Sequence, residues 1–261
     1  GRLDRMPGGL TPKSVRFIHT VIHSCLEQAR KEHLITINPA SAVRLPKLER
    51  SEIRYLDSGE IREFLEVARD SKHFAAFFLA LNTGMRRGEI LGLRWKDLNL
   101  EEGQLTVNQG LVRVSGKGLI FQEPKTELSN RTISLSPMVV KVLREHRKKQ
   151  NEYRLLLGGA YNKDLDLVFA NELGNPVCPR AFTRIFERLL KKAGLKAVAF
   201  HDLRHTFATI ALEEGVSVKA VQETLGHHSA AFTMDVYSTV TDKMKREAAD
   251  KVGGLLASFL E

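Results

Sequence analysis

The sequence predicts a mainly α-helical protein with a small antiparallel β-sheet, an α+β fold. In most segments, apolar residues recur every three or four positions, which is the spacing of one face of an α-helix. Between residues 104 and 135, short apolar and β-branched runs are separated by glycines, a pattern typical of strands joined by turns. Since 43% of the 261 residues are hydrophobic, the chain has ample material for a core.

Helices are predicted where the apolar spacing lies between a capping residue and a stop signal. At the first of them, Thr11 can cap the amino end and Pro12 fits the first turn. Asp57 and Glu60 form a capping pair, and Gly84 stops a segment that is apolar on all sides. The predicted helices cover residues 12–32, 58–69, 74–81, a short segment after 86, 136–149, 179–192, 201–213, 217–226, 229–237 and an apolar stripe from 244 to 259.

Four strands are predicted in the glycine-punctuated region. They cover residues 104–109, 111–114, 119–122 and 131–135. The last two flank residues 124–130, which we interpret as a hairpin tip that carries Lys125. Residues 150–164 are interpreted as a loop.

The charge balance favours a polyanionic partner. Forty Lys and Arg residues oppose 31 Asp and Glu residues, so the formal net charge is +9. Such an excess suits nucleic acid first and an anionic membrane second, although a basic but inert surface has the same composition. No apolar run approaches a membrane span, and no signal peptide is visible. The two cysteines lack metal-ligand spacing, which fits a reducing compartment.

Residues 201–237 carry the most distinctive chemistry. His201, Arg204 and His227 can each donate to an anionic oxygen, and they precede one phenol, Tyr237. A phenol with a pKa of about 10 is a poor nucleophile at pH 7, and closing that gap costs about 4 kcal/mol. Groups gathered round a phosphate can supply this energy, since each charge-assisted hydrogen bond contributes about 1.5–3 kcal/mol.

A second cluster follows the predicted buried helix. Arg86 and Arg87 are costly at this position unless they are paired, and Glu89 lies one helical turn after Arg86, where it can hold that side chain. Taken alone, this motif would be interpreted as an ordinary Arg–Glu surface pair. Lys125, taken alone, is an ordinary loop lysine.

Together these segments resemble the tyrosine recombinase, or phage integrase, family. The matching strings are Thr83-Gly84-Met85-Arg86-Arg87-Gly88-Glu89, Pro124-Lys125-Thr126, His201-Asp202-Leu203-Arg204-His205 and Leu225-Gly226-His227, with Tyr237 last. Each string alone is a weak signal, but all of them in this order are a strong one. The resemblance covers residues from about 50 to 239 and is closest in character to integrases of prophages and of integrative or conjugative elements.

The resemblance implies a catalytic domain preceded by a remnant of the family's helical core-binding domain. The implied divisions are 1–46 for the end of the core-binding domain, 47–56 for a linker, 57–241 for the catalytic domain and 242–261 for a tail helix that can dock on a neighbouring protomer. Because most of a core-binding domain is missing, the resemblance also leads us to expect an N-terminally truncated chain.

The resemblance further implies that the chain cuts and rejoins DNA through a 3′-phosphotyrosine, with no metal, ATP or other cofactor. Tyr237 would attack the scissile phosphodiester. Arg86 and Arg204 would grip the non-bridging oxygens in two-pronged contacts. Lys125 would protonate the leaving 5′-oxygen.

The resemblance implies supporting roles for the remaining residues of these motifs. His201 would hydrogen-bond the phosphate and could accept the tyrosine proton. His227 would donate to a phosphate oxygen. Glu89 would orient Arg86 and the neighbouring histidine.

Double-stranded DNA is the implied partner, and several cations are candidate contacts to its backbone. These candidates are Arg44, Lys47, Arg50, Arg54, Arg180, Arg184 and Arg188. The resemblance also implies self-association as a dimer or tetramer on DNA, accessory directionality or DNA-bending proteins, and no membrane. The implied location is the bacterial cytoplasm, in association with the nucleoid, for a protein encoded by a bacterium or a phage.

Three other interpretations remain at this point. A type IB-like topoisomerase would use the same phosphotyrosine chemistry but act alone, and a catalytically silent relative would only bind DNA. A metal hydrolase would use the histidines, because His201 and His205 lie four residues apart on a predicted helix. No cysteine or carboxylate completes an evident metal set, so we expect no metal site.

Overall fold

The computed structural model describes residues 9–48, 54–123 and 130–226. The chain divides into two compact units, residues 1–52 and residues 53–261. In the described ranges, no helix is both long and apolar enough to cross a membrane.

The first unit is built on helix α1, Pro12–Lys31. As predicted, the side chain of Thr11 caps its amino end. A 3₁₀ turn, Pro39–Ala42, packs beside it and is capped by Asn38. The buried Asn38 amide also donates to the main-chain oxygen of His23 at 3.1 Å, so one side chain fastens the turn to the helix.

The described part of the second unit contains seven α-helices. They are α2 (Ser58–Ala68), α3 (Phe74–Thr83), α4 (Arg87–Gly92), α5 (Pro137–Leu157), α6 (Pro179–Lys192), α7 (Asp202–Glu213) and α8 (Val218–Leu225). At α2 the predicted capping box is present, because Asp57 accepts from the amide of Glu60 and Glu60 accepts from the amide of Asp57. All of these helices except α5 lie close to their predicted positions.

Helix α5 is the exception, because it continues eight residues past the predicted end at 149 and stops at Gly158. The loop predicted over 150–164 is therefore wrong for its first half. The reason is Gln150, which is buried and accepts a hydrogen bond from the indole of Trp95 at 2.7 Å. Its amide also donates to the main-chain oxygen of Leu167 at 3.0 Å, so distant partners fix this turn as helix.

In the described residues, five strands form two antiparallel sheets. They are β1 (Leu98–Asn99), β2 (Gln104–Val107), β3 (Gly110–Val114), β4 (Gly118–Gln122) and β5 (Arg131–Ser134). One sheet has the order β1-β2-β5, and the other is the β3-β4 pair.

The predicted hairpin between β4 and β5 is wrong. Strand β5 pairs with β2, with Leu105 opposite Ile133, whereas β4 pairs with β3. The hairpin turn therefore lies near Gly116, whose φ of +76° suits a tight turn. Two-residue strand β1 was not predicted, because it is too short to show an alternating pattern.

The hydrophobic core fixes the position of the segment that precedes α7. Five phenylalanine rings from α2, α3, α6 and this segment pack together, with the Phe77 and Phe182 centroids 5.0 Å apart. The rings are those of Phe64, Phe77, Phe182, Phe186 and Phe200. Because Phe200 is buried in this cluster, the next residue, His201, is held at the core's edge.

Candidate active site

An open cleft of about 1300 Å³ lies in the second unit. Its walls are the start of α4, the β3–β4 hairpin, the first half of α6 and the segment before α7. The polar residues lining it include Arg86, Glu89, Arg113, Arg180 and His201.

Arg86 reaches this cleft from the corner between α3 and α4. Gly84 makes the corner with a φ of +61°, and a Cβ there would lie 2.5 Å from the side chain of Leu225, so only glycine fits. Glu89 then fixes Arg86 twice, since it accepts from the Arg86 amide and from Nη1, both at 2.8 Å. The Arg86 side chain remains 42% exposed, so it is held on one side and open on the other.

A residue that the sequence pattern did not single out, Arg131, completes this corner. Its side chain is only 6% exposed, and it donates to both Glu89 oxygens, at 2.9 Å from Nη2 and 3.3 Å from Nη1. A signal did exist in the sequence. Strand alternation places Arg131 on the same face as Ile133, and that face is buried. A cation on a buried face requires a charged partner.

Glu89 is ionised at neutral pH because of these two arginines. Burial alone raises the pKa of its carboxyl. The hydrogen bond and charge of Arg131, with the amide and guanidinium of Arg86, more than offset this and hold the pKa below its ordinary value. The three side chains together carry a net positive charge.

Replacing Glu89 with glutamine is expected to reduce the free energy of unfolding by about 3 kcal/mol at pH 7, because it removes the carboxylate that pairs with a buried guanidinium. The folded-state pKa of Glu89 is lowered, so its stabilising effect is complete above the unfolded pKa of about 4.3. The effect is lost as the pH falls through the lower, folded-state pKa. Urea unfolding of both proteins at pH 7, 5 and 3 measures the difference.

Glu101→Gln provides the control for this measurement, since Glu101 pairs with Arg144 on the surface, where its side chain is 89% exposed. Such a pair contributes only about 0–1 kcal/mol. A Glu89→Gln effect that matched the control, or that stayed constant between pH 7 and 3, would contradict the proposed ion-pair contribution.

His201 precedes α7 and lines the cleft beside Arg86. Its ring meets the His205 ring edge to face, with centroids 5.9 Å apart. Partial desolvation of the ring lowers the pKa of His201, and the cations of Arg204 and Arg86 lower it further. The imidazole is therefore neutral at pH 7 and can accept a proton.

Arg204 lies buried beside the cleft, with 2% of its surface exposed. Its Nη1 donates to the main-chain oxygen of Gly84 at 2.7 Å, and its Nη2 donates to that of Leu225. Burial lowers the pKa of Arg204 to about 9, with a further contribution from Arg86, so the side chain remains a cation at pH 7. Its contact with Gly84, two residues before Arg86, places it close to the cleft-lining groups.

The described structure thus gathers four of the residues singled out in the sequence, namely Arg86, Glu89, His201 and Arg204. The guanidinium of Arg86 and the neutral imidazole of His201 line the cleft, and the buried cation of Arg204 lies beside it. This arrangement suits a bound oxyanion such as phosphate. Lys125, His227 and Tyr237 lie outside the described residues.

The candidate contacts to a DNA backbone are spread over several surfaces. On α6, Arg180 lines the cleft together with Thr183 and Glu187, whereas Arg184 and Arg188 are exposed but do not line it. The helical spacing explains this, because positions 180, 183 and 187 share one face. Thr183 also accepts a hydrogen bond from Arg87 at 2.7 Å, which joins α4 to α6.

The other candidates lie near the predicted linker. Arg44 and Lys47 are exposed residues of the first unit. Arg54, in the second unit, donates to the main-chain oxygen of Ala197 at 3.3 Å and lies 3.8 Å from Glu60. Arg50 lies outside the described residues. Within the described ranges, no group of three or more His, Cys, Asp or Glu side chains is arranged to hold a metal ion.

Comparison with known proteins identifies the family. Residues 54–244 match the phage integrase family. The chain is 31% identical to a "Tyrosine recombinase XerC-like" protein of Caldanaerobacter subterraneus subsp. tengcongensis, over 95% of this chain and 67% of that protein. It is 28% identical to the ICEBs1 integrase of Bacillus subtilis, over 98% of this chain and 69% of that one.

A similar fold occurs in the Tn1549 transposon integrase, whose structure was solved in complex with transposon right end DNA. The TM-score is 0.78 at 24% identity, and the match covers 92% of this chain and 81% of that one. The predicted mainly α fold with a small antiparallel β-sheet is therefore confirmed as a fold class, although the described strands form two small sheets. The named relatives are recombinases and integrases, and they favour neither a topoisomerase nor a silent DNA-binding protein. The chain belongs to the phage integrase family and is a tyrosine recombinase, an enzyme of DNA strand exchange.

Proposed function

We propose that this recombinase acts at a specific DNA site as the integrase of a mobile element, through a 3′-phosphotyrosine at Tyr237. The observation that carries the proposal is an open, cation-lined cleft that holds Arg86 and His201, with the buried guanidinium of Arg204 fixed beside it by its contact with Gly84. An open cleft of this kind suits the backbone of a duplex better than an enclosed small molecule. The similarity to the ICEBs1 integrase supports the association with a mobile element.

In the proposed reaction, the Tyr237 oxygen attacks the phosphorus and the bond from phosphorus to the 5′-oxygen breaks. Lys125 gives a proton to the leaving 5′-oxygen, and His201, neutral at pH 7, takes the phenol proton. Arg86 and Arg204 hold the non-bridging oxygens, where negative charge accumulates. His227 donates to the same phosphate.

Strand exchange completes the reaction. The free 5′-hydroxyl of another strand attacks the phosphotyrosine, and the bond from phosphorus to the Tyr237 oxygen breaks. Lys125, which lost its proton in the first step, takes the proton of the attacking hydroxyl, and His201 returns the phenol proton to Tyr237. One phosphodiester replaces another, so the steps balance without a metal ion or ATP. In this scheme Glu89 keeps the Arg86 guanidinium turned toward the cleft, through the two contacts at 2.8 Å.

We also propose the wider organisation that the resemblance implies. Residues 57–241 act as the catalytic domain, residues 1–46 contribute to DNA binding, and 47–56 link them. The seven further cations, from Arg44 to Arg188, contact the backbone of double-stranded DNA. The apolar stripe of the tail, 242–261, supports self-association on DNA. We place this activity in the bacterial cytoplasm, with accessory DNA-bending or directionality proteins as further partners.

Covalent capture tests the proposed function. Nicked duplexes with a randomised cleavage region are incubated with the 261-residue chain in EDTA. After cleavage, the short strand between the cleavage point and the nick diffuses away, so the covalent adduct cannot be reversed. Denaturing gels isolate the adduct, sequencing gives the preferred duplex, and mass spectrometry gives the modified residue. We expect an adduct at Tyr237, a free 5′-hydroxyl strand and more than one protomer on each duplex in native gels.

Different results would contradict different parts of the proposal. An adduct that disappears in EDTA would indicate a metal-dependent enzyme. A modified residue other than Tyr237 would exclude the assigned nucleophile. Capture with no preferred sequence and one protomer on each duplex would favour the topoisomerase alternative.

A further inference from the structure

The carboxyl end of α8 is held by two buried arginines from different elements. Arg204 donates to the main-chain oxygen of Leu225, and Nε of Arg131 donates to that of Thr224 at 2.6 Å. The last carbonyls of a helix have no partner within it and carry its partial negative charge. Two cations therefore fix the chain where it leaves α8, immediately before His227 in the sequence.

Gly226 brings the backbone close enough for this contact. Its φ is +64°, and a Cβ added there would lie 2.9 Å from Cδ of Arg131 and 3.1 Å from Nη1. The Arg131 side chain thus lies against the Gly226 backbone. A larger residue at position 226 would have to displace the guanidinium.

The other edge of the same guanidinium grips Glu89. Nη1 and Nη2 donate to the two carboxylate oxygens, and those oxygens also accept from Arg86. One buried side chain therefore contacts both the helix end that precedes His227 and the carboxylate that holds Arg86. Its own position is set by the sheet, where Arg131 pairs with Val107 in the register of β5 and β2.

We propose that Arg131 is a positioning residue for strand exchange, which couples the corner carrying Arg86 to the corner preceding His227. This inference rests on the proposed function of those two residues. Arg131 does not touch the phosphate in this scheme. It acts by holding the Glu89 carboxylate where that group can accept hydrogen bonds from Arg86. The same Arg131 guanidinium fixes the carboxyl end of α8.

The geometry requires arginine at this position. A guanidinium donates from Nε and both terminal nitrogens in fixed directions, which lets it serve two elements at once. A lysine ammonium is a single point of charge on a flexible stem. It can keep the charge next to Glu89, but it cannot maintain the fork and the contact to Thr224 together.

This coupling is tested by measuring the single-turnover rate of DNA cleavage for the wild type, Arg131→Lys and Arg131→Gln. The substrate is the preferred duplex identified by covalent capture. We expect both variants to cleave about 100-fold more slowly, as when a catalytic group is misplaced by about 1 Å. We expect DNA affinity at one fixed salt concentration to remain within about threefold, because Arg131 is buried and contributes little to phosphate contacts.

Arg94→Gln is the matched control. Arg94 makes the same kind of fork, with Nε and Nη2 at 2.7 and 2.9 Å from the Asp97 carboxylate, and neither residue lines the cleft. Thermal unfolding of the wild type and of each variant is measured first. All cleavage rates are then compared at a temperature below the lowest of these unfolding transitions. The control is expected to lose stability but to cleave within about threefold of the wild-type rate.

The pH profile separates positioning from general stability. Without Arg131, the pKa of Glu89 rises, so Arg131→Gln should lose activity at a higher pH than the wild type as the solution is acidified. The other charged groups facing Glu89 are Arg86, Arg204, whose pKa of about 9 keeps it cationic over this range, and His201, which titrates in both proteins. Arg94→Gln should keep the wild-type profile.

The inference is overturned if both Arg131 variants cleave within threefold of the wild-type rate, or if the pH profile of Arg131→Gln parallels the wild-type profile. It is also overturned if both variants fail to fold while Arg94→Gln folds. An absence of any adduct with the wild-type chain would instead count against the proposed function itself. The two failures are therefore distinguishable.

Discussion

Replacing Tyr237 with phenylalanine is expected to abolish the covalent protein–DNA adduct while leaving DNA affinity unchanged. The substitution removes one oxygen, and without it no phosphotyrosine ester can form at this position. The net charge of +9 is unaffected, because one neutral side chain replaces another. Since phosphate contacts by cations dominate affinity for DNA, the non-covalent complex should persist.

Denaturing gels with the captured nicked duplex measure the adduct, and gel shifts at one salt concentration measure affinity. Tyr153→Phe is the control, because Tyr153 lies on α5 with 48% of its surface exposed and does not line the cleft. It should form the adduct at the wild-type rate. A detergent-resistant adduct in Tyr237→Phe would show that another residue is the nucleophile.

The other tyrosines are poor candidates for that role. Burial raises the pKa of Tyr161, so its phenol is ionised even less often than an ordinary one at pH 7. Neither Tyr55 nor Tyr153 lines the cleft that holds Arg86 and His201. An adduct on any of the three would therefore require a different arrangement of cations from the one at the cleft.

Elements governed by local chemistry were predictable from the sequence. Helix α6 begins at Pro179 and ends before Gly194, because proline fits a first turn and glycine a stop. The Arg86–Glu89 contact was predictable in the same way, since residues three apart on a helix are neighbours. Helix α5 was predicted too short, because burial of Gln150 depends on partners 55 and 17 positions away.

The unpredicted part of the site depends on the same kind of distant pairing. Arg131 meets Glu89 only because β5 pairs with β2, whereas the sequence suggested a hairpin between β4 and β5. Arg204 was expected to face phosphate, but its contact to Gly84, 120 positions away, follows from the packing of α3 against α7. Side-chain type and spacing indicated the chemistry, whereas sheet register and helix packing decide which groups support it.

Arg204→Lys is the second substitution with a large expected effect, a loss of about 10²–10³-fold in cleavage rate, as when one donor to a developing oxyanion is removed. Lysine keeps the positive charge, so net electrostatic attraction of DNA should change little. What lysine cannot reproduce is a planar group that makes two-pronged contacts in fixed directions. The loss should therefore appear in the rate of adduct formation rather than in affinity.

The structure adds a second reason for this loss. Arg204 donates to the main-chain oxygens of Gly84 and Leu225, which lie at the ends of α3 and α8. One oxygen is two residues before Arg86 and the other two residues before His227. A single ammonium cannot span both, so one charge-assisted bond is lost, which costs about 1.5–3 kcal/mol in unfolding free energy. We therefore expect both a lower unfolding transition and slower cleavage.

Arg94→Lys is the matched exchange for this experiment, because it alters a partly buried fork to Asp97 away from the cleft. Cleavage by both variants is compared at a temperature where each is fully folded, so that any remaining difference reports on the site. Near-normal cleavage by Arg204→Lys would count against the arginine clamp. Slow cleavage restricted to Arg204→Lys would indicate that the Arg204 guanidinium both acts on the phosphate and fixes the two chain corners that precede Arg86 and His227. The control supports this conclusion, because Arg94→Lys loses a two-pronged ion pair without losing either of these functions.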